Sequence, residues 1–383
     1  MMKRITYIHW NRSRSGKIHK KLTVDYFSYR HAPRKLHKKW IYAVEKTIDD
    51  GQFIGGTNLV AFEKNFADYL KVEHVIGVGN GYDAIVVALK SLGVKKGDVV
   101  AVPAHTFIAT WLAIHSLGAH PFGIDCDKAG LIDLEKLETS DVNFKAVIPV
   151  HLHGQMVDMA KLKDWAIKSN TFIVEDCAQA HGAEMKNVKA GAWGDISAFS
   201  FYPTKNLGAL GDAGAVVTNS KSLAEFARNF ANYGSNLGSK YTYSALGINS
   251  RLDSIQASLL SVNLEYFNTW NARRQEIAKC YLNQINLIGL QPQLLNPNSV
   301  WHHFVVMVDD RLAVINYLKN IGIQTEIHYP KIAADIYSEL TSSEYGNFPE
   351  AKFFTDHALS LPLNQWLTTK QVNLIIKIHF WVS

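Results

Sequence analysis

Two residues of opposite charge raise the first chemical question. Lys205 ends the run Phe199-Ser200-Phe201-Tyr202-Pro203-Thr204-Lys205, beside hydroxyl side chains and ahead of Gly208, Gly211 and Gly214. Asp176 follows the apolar run 171–174 and Glu175, at the carboxyl end of an expected strand. In open α/β sheets that edge is where ligands bind. Taken singly, each has an ordinary reading. A loop lysine is usually solvated, and Asp176 would serve as an ion-pair or capping residue. Taken together they suit Schiff-base chemistry. A Schiff-base lysine must be shielded so that its amine can be unprotonated and nucleophilic. An acid at a pyridine nitrogen keeps such a cofactor's ring protonated, which makes it the better electron sink.

A third cluster, Gly77-Val78-Gly79-Asn80-Gly81-Tyr82-Asp83-Ala84, falls at an expected strand-to-helix turn. Glycines permit close backbone approach, and free amides at a helix start suit a phosphate. Position 84 is Ala, so this is not the dinucleotide fingerprint, and no Gly-Lys-Ser/Thr follows to make a Walker loop.

These residues need a scaffold. From about residue 51, short apolar runs alternate with helical patterns. Strands are expected at 74–78, 98–102, 122–124, 144–150, 171–174, 196–201 and 215–218, with helices at 83–91, through 111, and near 159–169. Continuous Val/Ile runs between helices predict a mostly parallel sheet with both faces covered. A long helical pattern fills 252–285, and 301–308 reads as a further strand. The organisation expected is a basic tail at 1–30, a large α/β domain at 31–264 and a smaller C-terminal α/β domain at 265–383.

The net charge of +6 is a local matter. Residues 1–24 hold seven Lys/Arg and no acid, which leaves 33 basic against 34 acidic residues elsewhere. A short like-charge run is ordinarily solvated, and no nucleic-acid-binding motif accompanies it. Cys126, Cys177 and Cys280 lack metal-type spacing, so reduced thiols and no metal are expected. No apolar run is long enough to span a membrane and no secretory signal is evident, so the expected location is the cytoplasm.

The motifs in this order resemble the DegT-type sugar-nucleotide aminotransferases, fold-type I pyridoxal-phosphate (PLP) enzymes. The likeness runs from about residue 40 to about residue 375. Its strongest pieces are Glu175-Asp176-Cys177-Ala178-Gln179-Ala180-His181-Gly182-Ala183, the Lys205 run, and Gly247-Ile248-Asn249-Ser250-Arg251-Leu252-Asp253. The resemblance implies a seven-stranded-type sheet domain and residue roles. Lys205 would carry the Schiff base and shuttle protons. Asp176 would pair with the pyridine nitrogen and Gln179 with the phenolate oxygen. Gly81, Tyr82 and Ser200 would hold the phosphate, and Phe107 would stack on the ring. Asn249 would reach the neighbouring subunit's cofactor, which implies a homodimer with sites at its interface. L-Glutamate would convert PLP to pyridoxamine phosphate, and a keto sugar would then take the amine.

Gly79–Ala84, Pro149-Val150-His151-Leu152-His153-Gly154, Asn232-Tyr233-Gly234-Ser235 and Trp270-Asn271-Ala272-Arg273-Arg274 resemble the branch that aminates carbon 3 of dTDP-3-keto-6-deoxyhexoses. Amination at carbon 4 is the alternative. Three departures stand out: His153 where the branch usually has Tyr, Ala213 where Gly is usual, and Lys331-Ile332-Ala333-Ala334 after His328-Tyr329-Pro330. That last loop normally borders the sugar nucleotide, so His328 and Tyr329 are the candidate substrate contacts. His151 and His181 read as structural groups lining the site. Family members that dehydrate sugars carry His in place of the lysine, and a non-catalytic regulator would be expected to lose Lys205 or Asp176. This sequence keeps both.

Overall fold

Runs rich in Val, Ala and Ile are buried on both faces and form the centre of the molecule. The computed structural model describes residues 22–235, 241–285, 291–292, 299–337 and 347–377. The strands are β1 (His74–Val78), β2 (Val99–Pro103), β3 (His120–Ile124), β4 (Ala146–Val147), β5 (Phe172–Asp176), a hairpin of β6 (Glu184–Met185) and β7 (Val188–Lys189), β8 (Ile196–Ser200) and β9 (Gly214–Thr218). Seven of them form one sheet in the order β1-β9-β8-β5-β4-β2-β3. Only β9 runs antiparallel to its neighbours, so the sheet is mixed and mostly parallel, as expected. Of the strand expected at 144–150, only Ala146–Val147 pairs as a ladder. Pro149 has no N–H to donate, and the chain turns at His151 into the wall of a cleft.

The helices are α1 (Arg34–Asp50), α2 (Gly56–Leu70), α3 (Gly81–Ser91), α4 (Ile108–Ser116), α5 (Leu134–Glu138), α6 (Met159–Ser169), α7 (Lys221–Phe230) and α8 (Ser254–Ile285), followed by shorter ones. In α3 every residue from Ala84 to Leu89 is buried, because the helix packs against β8 and β9 on the sheet.

A second apolar cluster surrounds a three-stranded sheet of β10 (Gln291–Pro292), β11 (Phe304–Met307) and β12 (Ala358–Leu361). Helix α8 serves both cores. Ala257, Leu260 and Phe267 pack in the first, and Ile277, Ala278 and Tyr281 in the second. The expected boundary at 264/265 therefore falls inside one continuous helix.

Of the expected tail at 1–30, residues 1–21 lie outside the described residues. Residues 22–30 pack on the body. Val24 is buried in the second cluster and bridges Ile323, while Phe27 and Tyr29 join Trp40, Trp270 and Trp366 in a third. Among the described residues no helix is long and apolar enough to cross a membrane.

Candidate active site

Lys205 lies in a tight loop just beyond β8. Its own amide donates to the Tyr202 carbonyl (2.8 Å), and the Ala209 amide closes the loop on the Phe201 carbonyl (2.7 Å). Asn206 anchors the next residue, donating to Asn271 Oδ1 (3.0 Å) and the Val300 carbonyl (2.9 Å). The Tyr29 hydroxyl reaches the carbonyls of Pro203 (2.8 Å) and Ala209 (3.2 Å) from outside. The Lys205 amine itself has no hydrogen-bond partner among the described residues. Burial pulls its pKa down to about 8, and only the charge of Asp176 opposes that shift.

Asp176 is the last residue of β5, at the carboxyl edge of the sheet. Its carboxylate accepts from the Thr110 hydroxyl (2.9 Å) and the Ala178 amide (3.1 Å). Burial raises its pKa despite those bonds and the charge of Lys205. A buried acid of this kind favours a cationic partner.

The adjacent Glu175 points elsewhere, since successive strand side chains alternate faces. Its oxygens accept from the amides of Gly191, Trp193 and Gly194, the Ser197 hydroxyl and His151 Nε2. Burial alone would raise Glu175, but the bonds from His151 and the backbone outweigh it and hold the acid below its ordinary value. The Val157 amide donates to His151 Nδ1 (3.2 Å), so the ring proton sits on Nε2 and points at Glu175 (3.0 Å). His151 is thus a structural bridge. His181 is buried against Phe199 and Phe201 and is held neutral, its pKa lowered to about 3 by burial and the nearby Lys205.

The expected phosphate cradle is assembled at the start of α3. Asn80 caps the helix by accepting from the Asp83 amide (2.8 Å). The Gly81 and Tyr82 amides have no acceptor among the described residues, as the first turn of a helix leaves them. Ser200 faces them across a gap so narrow that a Cβ at Gly81 would lie 2.5 Å from Ser200 Cβ. Ala213 causes no crowding, because its φ is not in the left-handed region.

A second wall is aromatic and amide-lined. Gln179 Oε1 accepts from the His153 amide (2.7 Å), and Gln179 Nε2 donates to the Tyr329 hydroxyl (2.8 Å). The Tyr329 amide donates to His105 Nε2 (3.1 Å), and the Tyr329 ring lies 5.5 Å from that of Phe107. Phe107, just ahead of α4, is 53% exposed, so one large aromatic face is left open. His328 stacks on His303 (3.7 Å between centroids). Asn249 precedes Ser250, whose hydroxyl accepts from the Gly79 amide (2.9 Å) and donates to Asp83 (2.6 Å). Asn249 is exposed, and its backbone bridges Asn232.

Sequence reasoning missed Thr110, His105 and Tyr29. Each is an ordinary residue type in an unremarkable run, and each acts on a partner 66 or more positions away.

The arrangement fits PLP on its own terms. Two free helix-start amides and a hydroxyl face one another, a buried acid is left favouring a cation, an aromatic face is open, and a half-buried amine has no partner among the described residues. The sequence pattern of the DegT/DnrJ/EryC1/StrS aminotransferase family matches residues 34–379. The chain belongs to that family. This aminotransferase is 38% identical over 368 residues to the dTDP-3-amino-3,4,6-trideoxy-alpha-D-glucose transaminase of Streptomyces venezuelae, covering 94% of this chain and 96% of the relative. It is also 38% identical over 358 residues to the dTDP-3-amino-3,6-dideoxy-alpha-D-galactopyranose transaminase of Aneurinibacillus thermoaerophilus, covering 92% and 98%. The crystal structure of S. venezuelae DesV in complex with a ketimine intermediate matches with a TM-score of 0.88 at 38% identity, over 92% of this chain and 96% of that one. The chain is therefore an enzyme, a PLP-dependent sugar aminotransferase.

Proposed function

We propose that this aminotransferase moves the amino group of L-glutamate to a dTDP-3-keto-6-deoxyhexose, giving a dTDP-3-amino-3,6-dideoxyhexose and 2-oxoglutarate, and that it does so as a homodimer. One observation carries the chemistry: the Lys205 amine is half-buried, without a hydrogen-bond partner among the described residues, and within electrostatic reach of Asp176. The names of the two dTDP-sugar relatives support the substrate.

PLP, when bound, supplies an electron sink for the charge left as a proton leaves the donor's α-carbon. The residues of the chain do the rest. The Gly81 and Tyr82 amides and the Ser200 hydroxyl would hold the phosphate. Asp176 would keep a proton on the pyridine nitrogen, and that cationic N–H would in turn meet the demand of its buried carboxylate. Phe107 would cover one face of the ring, and Gln179 would donate to the phenolic oxygen with the amide hydrogen that Tyr329 leaves free. Lys205, with its pKa lowered to about 8, gives up its proton far more readily near neutral pH than an ordinary lysine and can take and return a proton at the substrate carbon. Tyr329 and His328 would border the sugar. Asn249 would act across the dimer on the partner's phosphate. Donor and acceptor use the same site in turn, so the kinetics should be ping-pong.

The test is a visible spectrum of the protein reconstituted with PLP. A yellow band should appear, bleach with L-glutamate and return with the dTDP-3-keto sugar, and Lys205→Ala should lack it. No band in excess PLP would overturn the cofactor assignment. Return of the band with a 4-keto sugar alone would overturn the substrate.

A further inference from the structure

Ser250 closes the turn that carries the Gly81 and Tyr82 amides. Its hydroxyl accepts from the Gly79 amide (2.9 Å) at one end of that turn and donates to Asp83 Oδ2 (2.6 Å) at the other. The second bond has the length of a hydroxyl on a charged carboxylate. The same Asp83 oxygen accepts from the Asn80 side-chain amide (3.0 Å), and Asn80 Oδ1 accepts from the Asp83 backbone amide (2.8 Å). Residues 79–83 are thus tied into a ring that Ser250 completes from 167 or more positions away. Two amides must point at one group of oxygens to hold a phosphate, so a fixed turn lowers the ordering cost of binding.

The backbone of Ser250 is fixed in turn. The Tyr233 amide donates to the Ile248 carbonyl (2.8 Å) and the Ser250 amide to the Ala231 carbonyl (2.9 Å), so residues 248–250 lie extended against 231–233, with Asn249 bridged to Asn232. Successive side chains on extended backbone point to opposite faces. Ser250 accordingly faces inward and is buried, while Asn249 is exposed. Neighbouring Cα atoms are about 3.8 Å apart, so one short piece of backbone presents a hydroxyl to its own chain's cradle and an amide side chain to the outside.

We propose that Ser250 is a positioning residue for both cofactors of the dimer, setting the phosphate cradle of its own chain through Gly79 and Asp83 and the placement of Asn249 at the other site's phosphate. The second half rests on the homodimer reading above. A phosphate held at one cradle orders the ring, the ring holds Ser250, and Ser250 holds Asn249 in place for the other site. The first cofactor meets that ordering cost and the second does not repeat it, so the two sites should fill cooperatively. Linkage makes the effect equal in both directions.

Pyridoxamine phosphate cannot form a Schiff base with Lys205, so its binding reports this hold apart from turnover. In calorimetric titration of the full-length apoenzyme, the second molecule should bind about five-fold or more tighter than the first. Ser250→Ala should weaken binding about ten-fold and bring the two affinities together, with the sedimentation coefficient of the dimer unchanged. Asp83→Ala opens the same ring from its other end and should do likewise, which covers a failure of the first variant to fold. Asp83→Asn keeps an acceptor for the Ser250 hydroxyl and should keep the cooperativity. A residue that only stabilised the fold would lower the melting temperature without merging the two affinities. The proposal is overturned if a dimeric wild type binds with two equal affinities, or if Ser250→Ala and Asp83→Ala stay as cooperative as wild type; the homodimer reading would survive either result. A monomeric wild type in the same sedimentation run would sink the homodimer reading and the coupling together.

Discussion

The Lys205 amine and the Asp176 carboxylate are tuned in opposite senses by the same burial. Burial favours the neutral form of each, and each charge favours the other's ionised form. The pH dependence of cofactor capture follows. With added PLP, the rate at which the apoprotein turns yellow should climb as pH passes through about 8, where Lys205 loses its proton, rather than near the ordinary lysine value of 10.5. Asp176→Asn removes the charge that holds that proton on, so the profile should move to lower pH. The same variant should slow transamination by about a hundred-fold or more, a typical scale for losing one proton-controlling group. Stability should rise with pH for the same reason. The folded value of Lys205 lies below its unfolded value, so the group is destabilising below about pH 8 and this is relieved as pH rises toward 10.5. Glu175 makes the contrast at the next position. Glu175→Gln strands the bonds from His151 and the backbone, and should cost about 3–5 kcal/mol in denaturant unfolding. Lys205, Asp176, Gln179 and Gly81 were legible because their types and order are distinctive. Thr110 was not, because its bond to Asp176 joins positions 66 apart and a threonine in an apolar run marks nothing.

At the scale of elements, the sheet was legible where apolar runs were long and bounded by turns, and β1 and α6 fall on the expected residues. The strand at 144–150 was overextended because hydrophobicity continues past the point where Pro149 and the turn at His151 end the ladder. Residues 22–30 were hidden for another reason. They follow a basic run that dominates local composition, yet Tyr29 packs at 5.0 Å on Trp366 and 5.6 Å on Trp40. Its hydroxyl brackets the lysine loop at both ends, and Asn263, itself held by Trp40 Nε1 (2.7 Å), donates to the Gly208 carbonyl (2.8 Å). A Cβ at Gly208 would lie 2.5 Å from the Pro203 carbonyl oxygen, so the loop has no slack to absorb a lost anchor. Tyr29→Phe keeps the ring packing and deletes only the bracket. It should cost about 1 kcal/mol in unfolding. It should also lower kcat while leaving the KM for glutamate near wild type, and shift the pH profile of the yellow band. A purely structural role for Tyr29 would change stability alone.

For the whole molecule, the exposed surface around the site is itself an argument. Phe107, Tyr202, Leu210, Tyr233, Tyr243 and Leu246 are all exposed, on the loops and helix start that carry or border the site residues. Large apolar side chains left exposed on such segments suit a surface that a partner covers. Asn249, exposed on the same stretch as Tyr243 and Leu246, suits the proposed role across a dimer. Two inactive proteins decide it. Lys205→Ala lacks the reactive amine, and Asn249→Asp places a negative charge where the partner's phosphate would sit. If each site takes Lys205 from one chain and Asn249 from the other, a mixed dimer has one site with both lesions and one with neither. Mixing the two after mild dissociation should therefore restore activity that neither variant shows alone, with a sedimentation coefficient unchanged from wild type. If Asn249 served its own chain's site, every site in the mixture would still carry a lesion and no activity would return.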